Sequence, residues 1–232
     1  MPLPPGEQST VIDRYTQRFS EHGYSPKTLG WDKGKQDIRF AILTSQYDFQ
    51  KRKVLDIGCG FGDLNRTLQA YCDKEYNYHG VDLVPVLIAK AKELYKGSYI
   101  RFTCADFLED DFTGTYDYAV ASGMFNFKLR DMDNYDFIEA AIGKALHLCR
   151  DGLAFDFLSD KVDYKYSHTF HSSPERILAL AYKFSRNVVL RNDYMPFEFS
   201  IFIHKDGSFA KEDTVFNHYK SRKTAMSKTF PP

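Results

Sequence analysis

The chain has 232 residues, enough for one domain with a substantial buried core, and its 31 Lys plus Arg are matched by 31 Asp plus Glu. A net charge of zero gives no global field to draw in a polyanion, which argues against a nucleic-acid substrate. Cysteines at 59, 72, 104 and 149 have neither paired nor metal-ligand spacing, and no apolar run approaches the length of a membrane span, so the expectation is a cytoplasmic protein with reduced thiols and no membrane partner.

The opening Met1-Pro2-Leu3-Pro4-Pro5-Gly6-Glu7 has neither the basic lead nor the apolar core of a signal peptide. A helix is predicted near 11–21, broken by Gly23-Tyr24-Ser25-Pro26, and a second over about 35–45 with Ile38, Ala41 and Ile42 as its apolar stripe. Residues 1–46 thus form a helical addition in front of a core over 47–205, with a polar, solvated tail at 206–232. Within the core, strands at 54–58, 78–82, 100–105, 117–121 and 153–158 alternate with helices at about 63–72, 85–94 and 134–149. Alternation of this kind implies parallel pairing with right-handed crossovers, hence a doubly wound α/β sheet covered on both faces in three layers. The pattern then changes: a helix opens at Ser173-Pro174-Glu175, and strands at 187–191 and 198–203 flank a turn, giving an antiparallel hairpin.

Val54-Leu55-Asp56-Ile57-Gly58-Cys59-Gly60-Phe61-Gly62-Asp63 reads as a strand, a tight turn and a helix start. Glycine lets a ligand lie against bare main chain, and the helix that follows turns its unpaired N–H groups to the same spot. A dinucleotide fingerprint wants the third glycine two residues beyond the second, whereas Phe61 alone separates Gly60 from Gly62; Asp63 would also repel a pyrophosphate. Spacing and charge both disfavour NAD.

This decamer resembles the class I S-adenosylmethionine-dependent methyltransferases, and three later strand ends follow the family's order: Val81-Asp82-Leu83, Ala105-Asp106-Phe107 and Ala121-Ser122-Gly123. The resemblance covers roughly residues 50 to 160. It implies a seven-stranded, mostly parallel sheet whose seventh strand lies between the fifth and sixth, with S-adenosylmethionine as cofactor. It further implies that Gly58, Cys59, Gly60 and Gly62 pass against the cofactor's amino-acid part and that Asp56 holds its ammonium. Asp82 with Leu83 would meet the ribose, Asp106 with Phe107 the adenine, and Ser122 would lie beneath. N-terminal helices of such enzymes often form a lid, and Trp31, in a glycine-flanked loop, is a candidate for the cofactor site. Tyr15, Phe19 and Tyr24 either line a pocket or pack in the core.

Methyl transfer from a sulfonium needs two reactants held in line, and a general base only if the acceptor must lose a proton. The acceptor pocket is expected between the N-terminal helices, the segment after the fourth strand and the loop at 160–172, where Tyr164, Tyr166, His168 and His171 are candidates for acceptor contact, with His168 and His171 as the candidate base. The alternative is an ordinary surface loop, with His171 helping to cap the next helix. A metal is not expected, because His168-x-x-His171 brings no Cys or acid at ligand spacing. Gly123-Met124-Phe125-Asn126-Phe127 lacks the Asn/Asp-Pro-Pro-aromatic motif of the amino-methylating DNA enzymes. A small-molecule acceptor methylated on O, N or C follows. The rival readings are a protein or RNA acceptor, with Lys205, Lys211 and the tail lysines as its footprint, and a non-catalytic cofactor-binding protein.

Overall fold

A computed structural model describes residues 2–31, 35–72 and 75–220. Two helices, α1 (Pro5–His22) and α2 (Gln36–Thr44), precede the sheet. There follow β1 (Lys53–Ile57), α3 (Leu64–Tyr71), β2 (Asn77–Asp82), α4 (Pro85–Leu94), β3 (Ile100–Cys104), β4 (Tyr116–Ala121), α5 (Asn134–Leu148), β5 (Cys149–Leu158), α6 (Pro174–Tyr182), β6 (Asn187–Arg191) and β7 (Glu198–His204). The sheet order is β3-β2-β1-β4-β5-β7-β6, parallel through β5, with β7 antiparallel to both β5 and β6. The inserted seventh strand expected from the resemblance is therefore present.

Side-chain alternation sorts the strands onto two faces. Leu55, Ile57, Ala119, Ala121, Phe155 and Phe157 point to α5 and α6, while Val54, Tyr78, Tyr118, Val120, Ala154 and Phe202 pack with α2, α3 and α4. Asp133 caps α5 by accepting from the N–H groups of Tyr135 and Asp136, and Ser173 caps α6 by accepting from Arg176. Among the described residues no helix is long and apolar enough to cross a membrane, and none of the four cysteines is in a disulfide.

Three expectations need correction. The first helix starts at Pro5, six residues earlier than the periodicity indicates, because proline is well suited to the first turn, where its missing N–H is not needed. The buried stripe of α2 is Arg39, Phe40 and Leu43, whereas Ile38 is 42% exposed and Ala41 faces solvent. Arg39 is buried because it is matched by a carboxylate, a pairing that a purely apolar stripe search passes over. Thirdly, the tail is not wholly solvated up to residue 220: Phe216 and His218 line a cleft beside β6 and β7, and the His218 ring lies 5.1 Å from that of His204. The remainder of the tail, 221–232, lies outside the described residues, as does 32–34 of the Trp31 loop.

At Gly152 the backbones of β5 and β7 approach closely. A Cβ on Gly152 would sit 2.3 Å from the carbonyl oxygen of Ile203 and 2.8 Å from the Tyr47 hydroxyl, which donates to the Leu153 carbonyl at 2.8 Å. Gly152→Ala is therefore expected to cost about 1–3 kcal/mol, the usual cost of overpacking. A urea midpoint equal to that of the parent would contradict this.

Candidate functional site

At the carboxyl end of β1 the chain turns through Gly58, Gly60 and Gly62, with φ of +68°, +54° and +76°, a region that side chains with a Cβ rarely enter. Backbone N–H groups of Gly58 and Cys59 both donate to the Val81 carbonyl, at 2.8 and 3.1 Å, which fastens the turn to β2. Asp82 at the end of β2 completes the clasp: its Oδ2 accepts from Gly60 N at 2.8 Å and its Oδ1 from Val84 N at 2.9 Å. The three glycines face different neighbours. A Cβ on Gly62 would meet the Phe102 ring at 2.6 Å, one on Gly60 the Leu29 side chain at 3.2 Å, and one on Gly58 Met124 at 3.3 Å. Gly62 is thus required by core packing, while Gly60 and Gly58 border the N-terminal segment and the segment after β4.

Carboxylates surround this turn. Asp56, 4% exposed, accepts from the Tyr78 hydroxyl at 2.6 Å. Burial pushes its pKa up to about 7 against the opposing Tyr78 hydrogen bond, with the negative charges of Asp82, Asp63 and Asp156 adding to the rise. Asp156 in β5 accepts from Ser122 Oγ and Gly123 N, both at 2.6 Å, and burial raises it to about 6. Asp63, at the start of α3, accepts from the hydroxyls of Tyr24 and Tyr95, both at 2.7 Å. Burial also raises Asp82. Cys59 is buried, and its thiol is pushed well above its ordinary value by desolvation and by Asp82 and Asp56, so it is no nucleophile.

The segment from Leu3 to Trp31 crosses all these strand ends. Leu3 N and Gln8 Nε2 donate to Asp106 at 3.3 and 3.1 Å. Val11, Tyr15, Phe19 and Leu29 pack with Phe61, Val84 and Leu87. Trp31 reaches Gly123, where a Cβ would lie 2.4 Å from its ring, and the Arg39 guanidinium stacks on it at 3.7 Å. Arg39 in turn forms a two-pronged ion pair with Glu198 of β7, Nε to Oε2 at 2.6 Å. Of the four N-terminal aromatics, Tyr15, Phe19 and Tyr24 are packed against the turn, and Trp31 lies between Gly123, just after β4, and Arg39.

The loop after β5 lies beside the segment after β4, as expected: Phe170 N donates to the Asn126 carbonyl at 3.0 Å and Lys128 N to that of His168 at 3.1 Å. Its two histidines differ. His171 is held at both ring nitrogens, by the Ser159 carbonyl at 2.8 Å and Thr169 Oγ1 at 3.0 Å, while His168 is exposed and stacks on Tyr166, 5.7 Å between ring centres. Tyr164 and Tyr166 are exposed, their hydroxyls 3.3 Å apart. Phe107 is buried against Phe112, so only its backbone is left to face a ligand; Leu83 is half-buried. Lys205, proposed for a basic footprint, instead donates to the Leu146 and Cys149 carbonyls at the end of α5. Sequence reasoning missed Asp156, although a lone acid inside Leu153-Ala154-Phe155-Asp156-Phe157-Leu158 is an available signal, and it missed Gln8, Arg39 and Glu198, whose partners lie 98 to 159 residues away.

An open α/β sheet with this strand order, a glycine turn after β1 and acids at the next strand ends is the architecture of class I methyltransferases. A methyltransferase-domain family model matches residues 54–146. Rv1506c of Mycobacterium tuberculosis, provisionally named a methyltransferase, is 30% identical over 158 residues, which are 66% of this chain and 92% of that protein. Among solved structures, magnesium protoporphyrin IX methyltransferase from Synechocystis with bound S-adenosylhomocysteine superposes with a TM-score of 0.61 at 14% identity, covering 85% of this chain and 95% of the other. The N-methyltransferase NodS from Bradyrhizobium japonicum, also with S-adenosylhomocysteine, gives 0.59 at 17% identity, covering 83% and 98%. The chain belongs to the class I S-adenosylmethionine-dependent methyltransferase family.

The raised carboxyls carry a pH signature. Asp56 and Asp156 bind protons in the native state up to about 7 and about 6, against 3.8 for a free aspartate, so between these values the native state holds more protons than the unfolded chain. Stability is then greatest on the acid side of that window and is lost as pH rises through it. His79, which burial lowers to about 4, opposes this below about 6.5, so the test is the difference between two proteins: from pH 5 to pH 8 the melting temperature of the ligand-free parent should fall relative to that of Asp56→Asn, and an identical slope in the variant would refute this.

Proposed function

We propose that the chain binds S-adenosylmethionine across the glycine turn and transfers its methyl group to O, N or C of a small-molecule acceptor. One observation carries the reading: Asp56, Asp63, Asp82 and Asp156 converge around the turn of three left-handed glycines, where burial, with the charges of Asp82, Asp63 and Asp156 adding to it, lifts Asp56 to about 7. That surplus of negative charge suits a ligand bearing a sulfonium and an ammonium, and it opposes a pyrophosphate. The donor set therefore fits the cofactor. When bound, the sulfonium supplies a methyl group already activated for in-line displacement.

The protein's own task is to bind, orient and keep water out. Asp56 would balance the ammonium, directly or through water, with Tyr78 fixing the carboxylate's orientation. Asp82 would accept from the ribose hydroxyls: Gly60 N and Val84 N donate to its two oxygens and the Leu83 N–H also bears on the carboxylate, which leaves part of its about four lone-pair sites for a ligand. Asp106 and the backbone of Phe107 would face the adenine, and Ser122 with Gly123 the methyl-bearing end. Residues 2–31, which lie over these strand ends, would act as the lid. The acceptor would enter between Phe127, Arg14, whose guanidinium lies 5.8 Å over that ring, and the loop bearing Tyr164, Tyr166 and His168. In that loop His168 is the group free to touch an acceptor, and His171, tied at both nitrogens, is the one that sets the loop's shape.

The direct test is calorimetry with S-adenosylmethionine, S-adenosylhomocysteine and NAD, followed by a screen of small molecules for a mass gain of one methylene. Binding of NAD in preference to the other two would end the proposal. Asp82→Ala should weaken S-adenosylmethionine and S-adenosylhomocysteine alike, by about tenfold or more, because the ribose is common to both and a hydrogen bond to a charged group is lost; a loss confined to the methylated form would contradict the ribose assignment.

Once an acceptor is in hand, His168→Ala separates base from bystander. A base at this position implies turnover lower by about 10² to 10⁴ with S-adenosylhomocysteine affinity intact. A loss seen in acceptor KM alone would make His168 a binding residue.

A further inference from the structure

Each oxygen of Asp106 faces two donors from the chain itself. A carboxylate offers about four lone-pair sites, two per oxygen. Oδ1 accepts from the N–H groups of Leu108 at 2.7 Å and Glu109 at 3.4 Å, the turn that follows β3. Oδ2 accepts from Leu3 N at 3.3 Å and Gln8 Nε2 at 3.1 Å, both from the N-terminal segment, and the residue is only 7% exposed. The Gln8 amide nitrogen also lies 3.0 Å from the Leu3 carbonyl and 3.2 Å from Glu109 Oε2, so its two hydrogens are shared among three acceptors. An exocyclic NH₂ on a planar, conjugated carbon is what adenine presents at its 6-position, and the carboxamide of Gln8 presents the same group to the same oxygen.

We propose that Leu3 and Gln8 form an internal competitor for the adenine 6-amino group, so that cofactor entry requires this strap to leave Asp106. The inference rests on the assignment of Asp106 to adenine made above. The exchange is local, because Glu7, one residue away, is anchored on the opposite side by the N–H groups of Arg130 and Asp131 and keeps α1 in place. Movement is confined to residues 2–4 and the Gln8 side chain. The observed cofactor affinity is then the intrinsic one reduced by the fraction of molecules with the strap open. The N-terminal segment therefore acts against cofactor binding at the adenine end even while it walls the methionine end through Leu29 and Trp31.

The experiment measures affinity for S-adenosylhomocysteine and for its analogue with hydrogen in place of the 6-amino group, in the parent, Gln8→Ala and Gln8→Glu. Both substitutions remove the competing donor, and the second adds a repelling charge, so either variant suffices if the other fails to fold. Each should tighten S-adenosylhomocysteine by about fivefold, the equivalent of one typical hydrogen bond, and leave the analogue unchanged because it does not need Oδ2. Amide exchange at Leu3 in the parent should rise on adding S-adenosylhomocysteine, the reverse of a lid closing on its ligand. Unchanged or weaker binding in the variants, equal tightening of both ligands, or protection of Leu3 would overturn the proposal. Failure of the parent to bind S-adenosylhomocysteine at all would instead bring down the cofactor assignment, and the strap with it.

Discussion

Crowding of carboxylates around one backbone turn is the constraint to which the rest of this structure answers. Asp56, Asp63 and Asp82 come from consecutive strand ends and helix starts at one edge of the crevice, and Asp156 closes it from β5. Placing four such groups together is costly, and the fold offsets the cost with the Arg39 charge acting on Asp156 and with specific donors: Tyr78 on Asp56, Tyr24 and Tyr95 on Asp63, Gly60 N and Val84 N on Asp82, Ser122 and Gly123 N on Asp156. These are neutral donors. A neutral hydrogen bond orients a carboxylate without cancelling its charge, so the site keeps its negative potential for a cationic ligand.

The same donors decide which parts of the chain must be ordered for the site to exist. Tyr24 belongs to the turn after α1, and Leu29 and Trp31 follow it onto Gly60 and Gly123, so the segment in front of the sheet is a wall of the site. It is held at its far end by electrostatics of a different kind. The Arg39 to Glu198 pair joins α2 to β7, and Trp31 lies against the guanidinium. With both partners almost fully buried and the geometry two-pronged, removal of either charge would strand the other, a larger loss than for an exposed pair.

The core fold was legible in the sequence because its signals are local. Strand ends after Ile57, Asp82 and Ala121, the proline that opens α4 and the Ser173-Pro174 start of α6 are each read within a few residues. The longer reach of β5, which begins at Cys149 where 153 was expected, was hidden because Asp151-Gly152 looks like a turn; here Gly152 is the residue that lets β5 approach Ile203 closely. Likewise the glycines were readable as a turn, but their division of labour was not: that Gly62 serves Phe102 depends on a side chain from β3, 40 residues away. Local patterning gives elements, and pairings such as Gln8 with Asp106 or Arg39 with Glu198 are set by how the elements meet.

That distinction bears on how a family site acquires individual behaviour. The acids at the ends of β1, β2 and β3 sit where strand geometry puts them, and any chain that forms this sheet places them in nearly the same positions. What they can bind depends on how many lone pairs the remainder of the chain has already used. Asp82 accepts only from backbone of its own neighbourhood, Gly60 N, Val84 N and Leu83 N. Asp106 spends Oδ1 on its own turn in the same way, yet Oδ2 is taken by residues from the far end of the chain, and those donors are the ones a ligand could replace. Two carboxylates at equivalent strand ends thus differ in availability through contacts made by the N-terminal segment in front of the sheet.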